Sequence, residues 1–320
     1  FGAHGVDNGT MQVGHMMAFI QYAMQIIMSF LMITAISIML PRANVAAGRI
    51  CEVLEMVPSV NDPEDPVRPE SQEKGTVEFD HVSFAYPKAG ENVINDITFK
   101  AEKGQTVAII GSTGSGKSTL VHLIPRFYDV TEGKVLVDGI DVRDMTQKEV
   151  RSRLGYVPQK GVLFSGTIDS NIRYGKTDIS EAEVKEAAEV AQATEFIETK
   201  PEKYTSPIAQ GGTNVSGGQK QRLSIARAIA KKPEIFIFDD SFSALDFKTD
   251  STLRKALKAH TKDATTIIVA QRISTILNAD KIIVLDDGHM AGIGSHKELM
   301  KNCEVYRQIA MSQLSEEELA

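Results

Sequence analysis

The stretch Gly111-Ser112-Thr113-Gly114-Ser115-Gly116-Lys117-Ser118-Thr119 has the spacing G-x-x-x-x-G-K-S of a loop built to hold phosphate. Glycines so placed let backbone N–H groups close on phosphate oxygens, and a helix starting near Lys117 turns its positive dipole end to the same anion. Lys117 would then reach the β- and γ-phosphates, and the Ser118 hydroxyl would ligate magnesium. The chemistry implied is the binding of a nucleoside triphosphate with a divalent cation. Other stretches end on residues able to act on such a ligand. Ile235-Phe236-Ile237-Phe238-Asp239-Asp240 is an apolar run closed by two carboxylates, Asp239 being placed to hold magnesium. Leu154-Gly155-Tyr156-Val157-Pro158-Gln159 and Thr265-Thr266-Ile267-Ile268-Val269-Ala270-Gln271 each end in an amide. Asn214-Val215-Ser216-Gly217-Gly218-Gln219 opens a helix with Ser216 and Gln219 at capping-box spacing. Two glycines in a first turn cost roughly 1 kcal/mol each relative to alanine, which has a reason if a phosphate must reach the bare N–H groups.

The elements that must position these residues read in order. The apolar run Val107-Ala108-Ile109-Ile110 before the loop is a strand, and Leu120 to Ile124 after it a helix. Ahead of it, alternation in Thr76-Val77-Glu78-Phe79-Asp80, through Val82, Phe84 and Tyr86, and then Ile94, Ile97 and Phe99, predicts antiparallel strands. Tyr86 sits at a strand end, where its ring could stack on a base or be buried at a sheet edge; taken alone it reads more readily as the second. Downstream come a strand at Lys134 to Val137 and helices opened by capping boxes at Thr146-x-x-Glu149 and Ser180-x-x-Glu183. The sequence closes with a hairpin around Asp286-Asp287-Gly288 and a helix capped by Ser295-x-x-Glu298.

From Met16 to Leu40 no residue is charged, enough for a helix of roughly 37 Å, longer than a hydrocarbon core of about 30 Å. Arg42 and Arg49 follow it, placing that end on the cytoplasmic side. Gln21, Gln25, Thr34 and Ser37 within the run should face other helices or an aqueous cavity. Helical spacing continues to Met56, with Pro41 a point where the helix can bend. Pro58, Pro63, Pro66 and Pro69 among charged residues predict an extended linker, with a boundary near residue 70. A net charge of -7 without a long basic run gives no support for a nucleic-acid groove. Cys51 and Cys303 are far apart, implying neither a disulfide framework nor a zinc site. The first residue is Phe1 rather than Met and no secretory signal pattern follows, so the sequence reads as a piece of a longer chain.

Together these stretches resemble the nucleotide-binding domain of an ATP-binding cassette (ABC) exporter preceded by the last membrane helix of its membrane domain. The resemblance runs from about Val13 to the helix after Ser295. A phosphate loop is shared by many NTPases, whereas Val215-Ser216-Gly217-Gly218-Gln219 downstream of it marks this family. It implies an α/β fold, a P-loop NTPase core with an antiparallel β subdomain and a helical subdomain, preceded by one transmembrane helix. The parts expected are the end of a transmembrane domain over 1–57, a linker over 58–70, a nucleotide-binding domain over 71–310 and an acidic tail over 311–320. It further implies ATP and Mg²⁺ as ligands, with Tyr86 stacking on adenine, Gly111 to Thr119 binding phosphates, and Ser118, Gln159 and Asp239 serving the metal. Gln159 also communicates with the membrane helices. Ser216 to Gln219 would cap the γ-phosphate of ATP on a second ABC chain in a head-to-tail dimer, and Asp246, in Ser243-Ala244-Leu245-Asp246, lies in the loop crossing that interface. The expected setting is the inner (plasma) membrane, with the nucleotide-binding domain cytoplasmic, lipid around the helices, a transported drug, lipid or peptide, and no nucleic acid.

This sequence departs from the family pattern where hydrolysis is carried out. Asp240 stands where the family places a glutamate that polarises water, and Gln271 where it places a histidine; Gln210 replaces a glutamate common ahead of the signature, and Val215 a leucine. Shortening Glu to Asp retracts the carboxylate, and a misplacement of about 1 Å can cost about 10²-fold. Gln271 donates a hydrogen bond but carries no positive charge. The reading that follows is a chain weak in hydrolysis at its own site, lending an intact signature to a non-identical partner. The alternatives are a homodimeric exporter with slow hydrolysis at both sites, and a soluble ABC-type ATPase acting on nucleic acid or ribosomes, which the apolar run from Met16 to Leu40 opposes.

Overall fold

Uncharged runs and short apolar runs fold differently here, and each builds one part of the chain. The computed structural model describes residues 1–68, 74–176 and 178–314. Two compact units divide it, Phe1–Ser59 and Val60–Ala320. The first holds the short helix α1 (Gly2–Asp7) and the 42-residue helix α2 (Val13–Leu54), which continues through Pro41. α2 has the length and composition to cross a membrane. The hydroxyls of Ser29, Thr34 and Ser37 donate to the carbonyls of Gln25, Phe30 and Ile33 one turn back, so these side chains satisfy themselves within the helix.

In the second unit, period-two alternation yields the antiparallel strands β1 (Val77–Phe84), β2 (Ile94–Ala101), β4 (Glu132–Val137) and β5 (Ile140–Asp141), in the order β2-β1-β4-β5. The continuous apolar runs give β3 (Thr106–Gly111), β6 (Leu154–Val157), β9 (Ile235–Asp239), β10 (Thr265–Val269) and β11 (Lys281–Asp286), all parallel, with β12 (His289–Gly294) antiparallel to β11 at one edge. The order is β12-β11-β3-β10-β9-β6. Their side chains are buried on both faces: Phe236 and Phe238 point into one core, Ile235 and Ile237 into the other. Such two-sided burial is why these strands lack polar alternation. The consequence for function is geometric. β3, β6, β9 and β10 all run the same way, so Gly111, Val157, Asp239 and Val269 end on one edge of the sheet, where ligands of open α/β sheets bind.

Helices α3 (Lys117–Leu123), α4 (Gln147–Arg153), α5 (Ile168–Ile172), α6 (Glu181–Val190), α7 (Thr194–Glu198), α8 (Gly217–Ala230), α9 (Phe247–His260), α10 (Ile273–Ile276), α11 (His296–Asn302) and α12 (Glu304–Met311) complete the unit. β7 (Gly166–Thr167) and β8 (Pro207–Ile208) pair as a small ribbon within the helical subdomain of α5 to α8. The capping boxes expected at Ser180, Ser216 and Ser295 form with both reciprocal bonds. At Thr146 only half forms, because the carboxylate of Glu149 turns to Arg153 at 3.0 Å instead. The proline-rich stretch is tied down at residues 61 and 62: the Asn61 carbonyl accepts from Arg126, and the Asp62 carboxylate accepts from the backbone and side chain of Gln147 at the start of α4. Residues 69–73 and 315–320, which hold the end of the expected linker, the first residues of the expected nucleotide domain and most of the expected tail, lie outside the described residues.

Candidate functional site

The phosphate loop leaves β3 at Gly111 and enters α3 at Lys117. Gly114 and Gly116 adopt φ of 88° and 92°, a region that side chains rarely enter. A Cβ added at Gly111 would lie 2.1 Å from the Leu285 carbonyl oxygen, and one at Gly116 would lie 2.6 Å from Ile94, so both glycines are forced by neighbours. Lys117 folds over the loop, donating to the carbonyls of Gly111 at 2.8 Å and Ser112 at 2.6 Å. Burial lowers the pKa of its ammonium, and the charges of Asp240 and Asp239 oppose that shift. A half-desolvated cation on a glycine loop suits a polyphosphate.

Asp239 ends β9 with its side chain almost fully buried. Its Oδ1 accepts from the Ser118 hydroxyl at 2.8 Å, so the strand end and the start of α3 converge through one hydroxyl and one carboxylate. These hard oxygen donors fit Mg²⁺, which takes one or two carboxylates and completes its octahedron with substrate phosphates and water. When bound, the ion neutralises charge on the transferring phosphoryl group.

Asp240 takes φ of 46°, a left-handed conformation that costs a non-glycine residue about 1 kcal/mol or more. Its Oδ2 accepts two amides: Gln159 Nε2 at 3.0 Å from beyond the end of β6, and Gln271 Nε2 at 2.7 Å from beyond the end of β10. Burial chiefly raises its pKa, aided by the charge of Asp239, while the Gln159 bond and Lys117 pull it back. A cavity of about 220 Å³ opens beside it, lined also by Phe242, Ser243, Asp250 and Thr275. A water occupies about 30 Å³ in the liquid, so the space admits several.

Other predicted residues sit apart from this cluster. Ser216 and Gln219 exchange hydrogen bonds with each other at the start of α8, at 3.3 and 3.1 Å. Gly217 is exposed, and a Cβ there would meet nothing within 4 Å. Asp246 caps α9 through the Thr249 N–H at 3.0 Å, a bond that lowers its pKa. Among the described residues, no hydrogen bond or ion pair joins Ser216, Gln219 or Asp246 to the phosphate loop or to Asp239 and Asp240. Tyr86 is half-buried, its hydroxyl 3.0 Å from Thr119 Oγ1 and its ring edge-on to Phe84 and Tyr128. Sequence reasoning missed His122 and Tyr156, which stand at Asp239: the Tyr156 hydroxyl lies 3.4 Å and His122 Nε2 3.5 Å from Oδ2. Tyr156 follows Leu154-Gly155 inside a strand and His122 lies within a helix, so neither occupies a position where a motif directs attention.

Residues 94–243 match the profile of the ABC transporter family. The chain is similar to the uncharacterized ABC transporter ATP-binding protein Rv1273c of Mycobacterium tuberculosis (strain ATCC 25618 / H37Rv), 47% identical over 316 residues, covering 98% of this chain and 54% of that protein. It is also similar to the putative multidrug export ATP-binding/permease protein YgaD of Bacillus subtilis (strain 168), 41% identical over 304 residues, covering 95% of this chain and 52% of that one. The structure of a bacterial Atm1-family ABC exporter with ATP bound superposes with a TM-score of 0.85 at 34% identity, covering 96% of this chain and 53% of the other. The chain thus spans about half the length of the curated relatives it matches.

Proposed function

The chain carries an ATP-binding domain of the ABC transporter family and is homologous to ABC exporter half-transporters; from that premise we propose that it couples ATP binding to outward transport of a drug, lipid or peptide while hydrolysing weakly at its own site. α2 is the last membrane span, the second unit is cytoplasmic, and the setting is the inner (plasma) membrane. ATP and Mg²⁺ are held by Gly111 to Thr119, Ser118 and Asp239, with adenine against Tyr86. The name of the Bacillus relative supports the export reading, and the likeness to an ATP-bound exporter structure supports the nucleotide.

The observation that carries the hydrolytic reading is the pair of amides on Asp240. A shortened carboxylate whose Oδ2 already accepts from two amides withholds that oxygen from a water even though burial raises its pKa, and Gln271 rather than a histidine stands beside it. The signature from Ser216 to Gln219, by contrast, is intact and unused by this chain's own loop. A non-identical partner chain supplying its own carboxylate and histidine would complete a competent site against Ser216. In that dimer, ATP bound at the weak site acts chiefly to hold the domains together.

The test is nucleotide binding and steady-state ATP turnover by the full-length chain, beside the variant carrying Asp240→Glu and Gln271→His. Binding with only weak turnover in the natural chain, and much faster turnover in the variant, supports the reading. Equal turnover in both would show that Asp240 suffices and that two identical chains make the exporter.

A further inference from the structure

The two oxygens of Asp239 have different neighbours. Oδ1 faces Ser118, on the side assigned to the metal. Oδ2 faces the Tyr156 hydroxyl at 3.4 Å, and that hydroxyl is 3.0 Å from His122 Nε2. Because the phenol donates to the carboxylate, its oxygen accepts from His122 Nε2–H, which fixes the tautomer of that ring. Phe127 stands edge-on to Tyr156 at 5.5 Å and tilted against His122 at 5.7 Å, and the Arg151 guanidinium lies 5.5 Å over Phe127. The phenol is therefore held from several sides.

We infer that Tyr156, oriented by His122, restricts Asp239 to one-oxygen coordination and so makes the site selective for magnesium over calcium. The inference rests on the reading of Ser118 and Asp239 as the magnesium pair. Mg²⁺ demands a tight octahedron at about 2.0–2.1 Å and takes carboxylates through one oxygen. Ca²⁺ gathers six to eight oxygens at about 2.3–2.6 Å and readily takes a carboxylate through both. With Oδ2 tied to the phenol, Asp239 offers the geometry the smaller ion needs and withholds the one the larger ion prefers. Tyr156 and His122 are positioning residues: they act through Asp239.

The experiment uses Mn²⁺ as a spectroscopic stand-in for Mg²⁺, with the full-length chain and the non-hydrolysable ATP analogue AMP-PNP. Bound Mn²⁺ is read by electron paramagnetic resonance and displaced with Mg²⁺ or Ca²⁺. In Tyr156→Phe the displacement ratio should move toward Ca²⁺ by about tenfold, the scale on which groups that orient a metal ligand act. Nucleotide affinity in EDTA should stay unchanged. His122→Leu should shift the ratio the same way by less, and His122→Gln, which keeps a donor, should restore it. An unchanged ratio in Tyr156→Phe overturns the inference while leaving the magnesium pair standing. Absence of bound Mn²⁺ in the natural chain overturns the magnesium pair and the inference with it. Should Tyr156→Phe fail to fold, the contrast between His122→Leu and His122→Gln decides, equal ratios counting against the inference.

Discussion

Gln271 donates its side-chain amide to the Asp240 carboxylate over 2.7 Å, on the same oxygen that Gln159 reaches at 3.0 Å. Residues that follow two different strands thereby share one acceptor on a third. Both bonds favour the charged carboxylate, yet burial wins and the pKa of Asp240 lies above its ordinary 3.8. Turnover that needs Asp240 ionised should thus fail, as pH is lowered, earlier than an ordinary aspartate would allow. Replacing Gln159 with Leu removes a bond to the charged form, so the acid limb should move to still higher pH. The pH profiles of kcat/KM for the two proteins provide the check; identical limbs would detach Asp240 from the reaction.

The same displacement has a sign for stability. The folded state holds the Asp240 proton more readily than the unfolded chain, so stability falls as pH rises through the folded pKa. Asp240→Asn keeps the shape, and its oxygen can accept from both amides. At neutral pH its melting temperature should equal or exceed that of the natural chain, while turnover drops about 10²-fold. Scanning calorimetry beside an ATPase assay separates the two effects, as expected where function is kept at some cost to stability.

Among the described residues, the hydrogen bonds of Lys117 go to its own loop, to the carbonyls of Gly111 and Ser112 and more distantly to Ser115. Lys117→Ala should therefore leave the melting temperature nearly unchanged and weaken nucleotide binding by about 1.5–3 kcal/mol, the scale of a hydrogen bond to a charged group. Equilibrium titration with a fluorescent ATP analogue measures it. A loss of folding with retained affinity would assign Lys117 to the scaffold instead.

Much of this site was legible because it sits at strand ends. An apolar run closing on Asp239, Gln159 or Gln271 announces both the buried strand and the edge it reaches, and the glycine spacing announces the loop. What could not be read was pairing across long separations. Asp240 meets amides 81 and 31 residues away, and Ser118 meets Asp239 across 121. His122 and Tyr156 escaped notice for the same reason, since a helical histidine and a strand tyrosine become partners only when β6 lies beside β9. The proline-rich stretch looked solvated along its length, and the capping of α4 by Asp62 has no local signal.

Asp138 is a scaffold residue with a reach into the site. Its fully buried carboxylate accepts from the backbone of Gly75 at 2.6 Å and Thr76 at 3.0 Å, and pairs with Arg153 at the end of α4. Arg153 is followed directly by β6, and Gln159 lies two residues past the far end of that strand. Asp138→Ala would leave the buried N–H groups of Gly75 and Thr76 without their acceptor and take away one of the three carboxylates around Arg153, which keeps Glu149 and Glu234, costing about 2–4 kcal/mol. Chemical denaturation should show the loss in the second unit. A change under about 1 kcal/mol, the worth of an exposed ion pair, would mean that solvent reaches the pair.

Gly217 offers the sharpest separation of fold from function. Glycine is demanded by a structure when φ is positive or when a Cβ would strike a neighbour, and neither holds at this position. Within this chain the residue costs helix α8 about 1 kcal/mol relative to alanine and returns nothing. Its neighbour Gly218 differs, since a Cβ there would lie 3.4 Å from the Ala244 carbonyl, an ordinary contact at the loop bearing Asp246. On the proposed head-to-tail reading, what requires a bare Gly217 approaches from outside the chain, and the N–H groups at the start of α8 favour an anion. Gly217→Glu should fold with unchanged or raised melting temperature, since an acidic first turn suits the helix dipole. In the assembled exporter the same substitution should abolish ATP turnover, because a carboxylate would occupy the place of a phosphate. Full turnover in the Gly217→Glu assembly would mean that no nucleotide on a partner chain docks against Ser216 and Gly217, and the head-to-tail arrangement would fall with it.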